Sequence, residues 1–127
     1  MSDSQVIPQQ MPSAPKGHLI GFVDTQAQCD NIVTALNASS VEAERIHVLH
    51  GETGRDAFDV MMKGFQWGEE AERILKEGEL ELDAGHFVLC IEAKERGEGL
   101  RTAVIAQQHG GHGFGHFGTV LDERITR

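Results

Sequence analysis

GHFVLCIE, Gly85 to Glu92, has an earlier echo in the chain: GHLIGFVD, Gly17 to Asp24. Each stretch opens on Gly-His, continues as a short apolar run and closes on an acid. Each has the length of a buried strand. A helical pattern follows both. After the first, Thr25 and Gln28 have capping-box spacing, with the Thr oxygen placed to accept the Gln28 amide. Cys29, Ile32, Val33 and Leu36 then share one helical face. NASS ends that helix, and RIHVLH, 45–50, reads as a strand closed by Gly51. After the second echo, a helix is expected from about Gly99 to His109, with Leu100, Val104 and Ile105 as its apolar stripe. Gly110 suits a left-handed C-cap, and a last strand is expected over about 112–118. The chain thus reads strand-helix-strand twice, at matching lengths.

Between the two halves, RDAFDVMMK suggests a short helix around Phe58, Met61 and Met62. WGEEAERILKEGELELDAG suggests a longer one, with Trp67, Ala71, Ile74, Leu75 and Leu82 on one side. Glu69–Arg73 and Glu72–Lys76 are spaced as i,i+4 ion pairs. Gly78 lowers the helix propensity of its second half, and Gly85 is placed to end it.

These units predict an α+β fold: a ferredoxin-like βαβ…βαβ sandwich with a helical insertion between the halves and sheet order 4-1-3-2. The two Gly-His strands are expected to lie side by side at its centre, parallel to one another. Leu19, Val23, Phe87, Leu89 and Ile91 fall on one face, and Ile20, Phe22, Val88 and Cys90 on the other. Both faces are apolar, so both need cover. The inserted helices of 52–84 or a second copy of the chain, in a homodimer, would supply it. The polar, proline-containing residues 1–16 read as a flexible tail, and 17–127 as a single domain.

Of 127 residues, 39% are hydrophobic, enough for one domain with a proper core. The net charge of −9 argues against nucleic acid as a partner. No apolar run is long enough to span a bilayer, and the N-terminus does not have the pattern of a secretory signal. Two distant cysteines, Cys29 and Cys90, each sit in an apolar pattern and read as buried reduced thiols, which suits a cytoplasmic protein.

HGGHGFGHFG, His109 to Gly118, holds the densest chemistry. GFGHFG matches the dinucleotide pattern in form only, because no βαβ unit continues after it. The glycines read as a cap, close packing or a bulge. His112 and His116 are four residues apart, roughly 13 Å along a strand, too far to share an ion. A different cluster follows from the expected parallel centre. His18, His50, His86 and His116 would meet at one end of the sheet and could bind a divalent transition metal, with Asp83, Glu52 or Asp122 adding a carboxylate. Clustered imidazoles of this kind could also act as a pH-sensitive patch. His109 reads as a helix C-terminal cap. The acids Glu69, Glu70, Glu72, Glu77, Glu79 and Glu81 read as a solvated face. GETGRD, 51–56, reads as a loop whose Arg55 could meet an anion. No nucleophile elbow, Walker loop or HExxH is present, so no catalytic residue and no organic cofactor is assigned.

HVLHGETGRDAFD, AGHFVLCIEA and QHGGHGFGHFGTVLDERIT together resemble the small bacterial YflT-type general stress protein domain, over roughly residues 17–126. The resemblance implies a domain fold and a stress-associated role, and it brings no catalytic residues. The expected function is therefore a non-catalytic, cytoplasmic stress-associated domain that binds a protein or small-molecule partner. The alternatives are a metal-binding protein using the sheet-end histidines and a small cofactor-free enzyme.

Overall fold

The computed structural model describes residues 15–63 and 68–118, and the backbone of 122–124. Most of the expected tail and Trp67 lie outside these residues. The elements run β1 (His18–Val23), α1 (Gln26–Ala38), β2 (Ile46–His50), α2 (Gly51–Lys63), α3 (Glu69–Asp83), β3 (Phe87–Glu92), α4 (Arg96–Gln108), β4 (His112–Phe117) and β5 (Asp122–Arg124), with one 3-10 turn at Ala43–Arg45.

The class is α+β. The strands form one open sheet in the order β2-β3-β1-β4-β5. Every neighbouring pair is antiparallel. The two Gly-His strands are central and adjacent, but they are not parallel, and this corrects the expectation. The reason is the number of reversals between β2 and β3. A single connecting helix would bring the chain back parallel to β2. Two helices, α2 and α3, add a third reversal, so β3 runs against β2 and against β1.

Both sheet faces are covered by helices of the same chain. On one side α1 and α4 pack over Leu19, Val23, Phe87, Leu89, Ile91 and Phe114. On the other, Phe58, Met61 and Met62 of α2 and Ala71, Ile74 and Leu82 of α3 pack over Ile20, Phe22, Val88, Cys90 and Phe117. The inserted helices therefore close the face for which a second subunit was the other candidate cover. Burial of these apolar side chains, at about 25 cal/mol per Å², is the main driving force.

Local chemistry sets the helix ends. Thr25 Oγ1 accepts the Gln28 amide at 3.1 Å and starts α1 as its spacing predicts. At the end of α3, Gly85 takes φ +86° and the His86 amide donates to the Glu81 carbonyl at 2.8 Å. Arg73 pairs with Glu70 and Glu77 rather than with Glu69.

Helix α4 departs from its expected stripe. It begins at Arg96 and turns Gly99, Thr102, Ala103 and Ala106 inward. Leu100 and Val104 are 40% and 47% exposed. Small residues win the inward face because the helix lies close to the sheet. A Cβ on Gly99 would come within 2.8 Å of the His116 ring.

Candidate functional site

HGFGHF is strand β4, where the last strand was expected. Its glycines answer to packing. Gly113 takes φ +69°, and the β1–β4 register slips between Ile20 and Phe22, so that three steps along β4 match two along β1. This is a bulge at a left-handed glycine. It puts His112 out of phase with Phe114 and His116. The His112 ring lies 6.1 Å from that of Phe22, which belongs to the α2–α3 core. His116 instead turns under α4 and is buried.

The antiparallel register decides which histidines meet. His18 pairs with Glu92 and with Phe117, at one end of the sheet. His116, opposite Leu19, is at the same end. His50 pairs with Phe87, and His86 precedes Phe87, so both are at the opposite end. The four expected ligands are thus split two and two. His18 Nδ1 bonds the Lys16 carbonyl. His116 Nε2 donates to the Ala93 carbonyl at 2.6 Å, inside the core. Burial, then nearby His18, lowers the pKa of His47. Asp83 pairs with Arg55, as do Asp59 and Glu79. GETGRD is accordingly the first turns of α2, and its arginine is already engaged.

At the His86 end a different group converges. Val23 pairs with Phe87, which sets Asp24 beside His86. The turn closing α3 sets Glu81 beside His86 as well. His86 Nδ1 lies 2.8 Å from Glu81 Oε1 and 3.4 Å from Asp24 Oδ1. The Gly113 bulge brings His112 in from β4. Its Nε2 is 2.9 Å from Asp24 Oδ1 and 4.0 Å from Glu81 Oε1. Asp24, Glu81 and His112 each place one donor atom within 4.8 Å of the others, the one such group of three among the described residues. Asp24 is half-exposed; Glu81, His86 and His112 are partly buried. His50 stands next to the group: it stacks on Phe87 at 4.1 Å and donates from Nδ1 to the His86 carbonyl at 3.2 Å.

Two carboxylates and two imidazoles at an open sheet end can bind a cation or exchange protons. They include no hydroxyl and no thiol. The two thiols are elsewhere and buried, as their pattern predicts. Burial, helped by the Asp30 charge, pushes Cys29 up to about 11, and burial alone pushes Cys90 to about 12. A disulfide-exchange reagent at pH 8 is therefore expected to find almost no reactive thiol in the native protein and two after unfolding in guanidinium. Rapid native labelling of either cysteine would contradict the packing.

Three of the four converging residues were not among the expected ligands. Asp24 and Glu81 lie where strand and helix end, and His112 depends on the bulge. The closing acid of GHLIGFVD was the available signal, since an antiparallel partner beginning Gly-His must face it. Compared with protein-family models, with curated proteins and with solved structures, the chain matches none.

Proposed function

We propose that this chain is a non-catalytic binding domain that takes a small cationic ligand at the sheet end formed by Asp24, Glu81, His86 and His112. The observation that carries the reading is the convergence of two carboxylate oxygens and two imidazole nitrogens, from three separate segments, on one partly exposed spot. Two carboxylates with oxygens within 4.8 Å of one another favour a positive guest. The strand neighbours β4-β1-β3-β2 support a ferredoxin-like arrangement, with α2 and α3 as the insertion. The resemblance of 17–126 to the YflT-type domain supports a stress-associated role in the bacterial cytoplasm. No described helix is long and apolar enough to cross a membrane.

Thermal unfolding at constant ionic strength tests the reading, with zinc, magnesium and spermidine against phosphate and sulfate. A ligand present at a hundred times its dissociation constant adds about 2.7 kcal/mol, a rise of several degrees. Stabilisation by at least one cation, lost in Asp24→Asn and Glu81→Gln, is the expected result. Stabilisation by the anions alone, or by nothing, would overturn it.

A further inference from the structure

We infer that the cation is a single divalent transition-metal ion, bound directly by Asp24, Glu81, His86 and His112; this rests on the cation-site reading above. Four observations lead to it.

The first is spacing. Ligands at roughly 2.1 Å from one ion stand about 3–4 Å apart in tetrahedral or octahedral arrangements. The contacts within the group are 2.8, 2.9, 3.4 and 4.0 Å. The donor atoms of Asp24, Glu81 and His112 all lie within 4.8 Å of one another, and His86 Nδ1 adjoins both carboxylates.

The second is donor type. Two imidazole nitrogens with two carboxylate oxygens form a borderline set. Calcium and magnesium favour all-oxygen sites, whereas imidazole suits zinc, nickel, cobalt and iron. The buried thiols offer no competing soft site.

The third is rigidity. Glu81 and His86 are locked together by the turn at Gly85, whose closing bond joins the His86 amide to the Glu81 carbonyl. His112 is positioned by a bulged strand and Asp24 by a paired strand end. The backbone that carries each donor is therefore placed by the adjoining strands and turn before the ion arrives, which lowers the ordering cost.

The fourth is charge. Two carboxylates neutralise a divalent ion, and the neutral imidazoles complete its shell. The proton now on each facing ring nitrogen passes to the far nitrogen of the ring or to solvent.

The test uses the full, untagged chain. Cobalt(II) is titrated by visible absorption, and zinc, magnesium, calcium and spermidine by calorimetry, for the wild type and for His112→Ala, Glu81→Gln, Asp24→Asn and His18→Ala. One equivalent of zinc and of cobalt is expected, with an intensified cobalt band. Affinity should fall at least about tenfold in His112→Ala and in Glu81→Gln, by the scale on which even outer-shell changes act, and stay unchanged in His18→Ala. The Asp24→Asn protein, altered at a half-exposed position, guards against a folding defect in the others. If magnesium, calcium or spermidine binds as tightly as zinc and the cobalt band is absent, the transition-metal assignment falls and the cation site stands. If no cation binds, both fall. Zinc binding that survives in His112→Ala and is lost in His18→Ala would put the metal at the other end of the sheet and overturn the assignment.

Discussion

Replacing Gly21 with alanine is expected to lower the unfolding free energy by about 2–3 kcal/mol, the upper part of the range for overpacked cores. Gly21 lies in the middle of β1, opposite Leu89 of β3. The Phe114 ring from β4 rests directly on its backbone. A methyl group there would overlap Cδ1 and Cε1 of that ring and come within 2.7 Å of Cγ. The ring has nowhere to go. Phe114 is fully buried in the α1–α4 core. On its far side a Cβ on Gly111 would already stand 2.8 Å from Cζ. A glycine in a central strand otherwise weakens it; here it is the seat for an aromatic side chain from the next strand. Thermal denaturation should show a fall of roughly 8 °C, at about 3–5 °C per kcal/mol for a domain of this size. The cause can be isolated by a double-mutant cycle. Phe114→Leu alone should destabilise by loss of apolar burial, yet in the Gly21→Ala background it should cost at least about 1 kcal/mol less. Additive costs would mean that the ring and the glycine do not compete for the same space. The effect should also reach the candidate site. Phe114 is one residue beyond the Gly113 bulge, so a displaced ring shifts β4 where it carries His112.

The difference between what the sequence reveals here and what it hides follows from the range of each interaction. Strand positions and the Thr25 cap depend on neighbours within a few residues, and GHLIGFV, GHFVLCIE and TQAQ carry them plainly. The direction of β3 depends on how many times residues 51–84 reverse the chain. Both helices of that insertion are readable, but their consequence for strand direction appears only when the reversals are counted. Reading β1 and β3 as parallel brought His18 and His86 together; the antiparallel register sends them to opposite ends. Of the expected ligands, only His86 belongs to the converging group, with His50 beside it. Glu81 is hidden among six similar glutamates, and nothing local separates it from the solvated ones. Its distinction is tertiary: it is on the last turn of α3, within reach of a histidine five residues on. His112 is concealed by a single left-handed glycine. In a regular strand it would share a face with His116, and the bulge alone breaks that phase. Leu100 and Val104 fail for a related reason. Hydrophobicity marks them for the core, but the close approach of α4 admits only small residues, and sterics outweigh the transfer energy of two side chains.

Gly78→Ala should reverse the sign that helix propensity alone predicts. In an exposed helix interior, alanine is favoured over glycine by about 1 kcal/mol. Gly78 is inside α3, and its presence there reads as a weakness. The helix nonetheless runs unbroken from Glu69 to Asp83, because the missing side chain is what lets α2 and α3 meet. A Cβ at Gly78 would lie 2.5 Å from Cε2 and 3.1 Å from Cε1 of Phe58, a fully buried ring of α2. Phe58 belongs to the same core as Met61, Met62 and Ile74, none of which is more than 2% exposed. Any retreat of the ring therefore disturbs the layer that closes one face of the sheet. Overpacking toward the upper end of about 1–3 kcal/mol outweighs the propensity gain, so a net loss of up to about 2 kcal/mol is expected, read as a lower urea midpoint with an unchanged slope. Phe58→Leu should release the clash and let the propensity term show: in that background Gly78→Ala should become neutral or stabilising. A stabilising effect in the wild-type background would mean that α2 and α3 can separate at little cost. The inserted layer would then pack loosely, and Glu81, on the last turn of α3, would not be held in place by it.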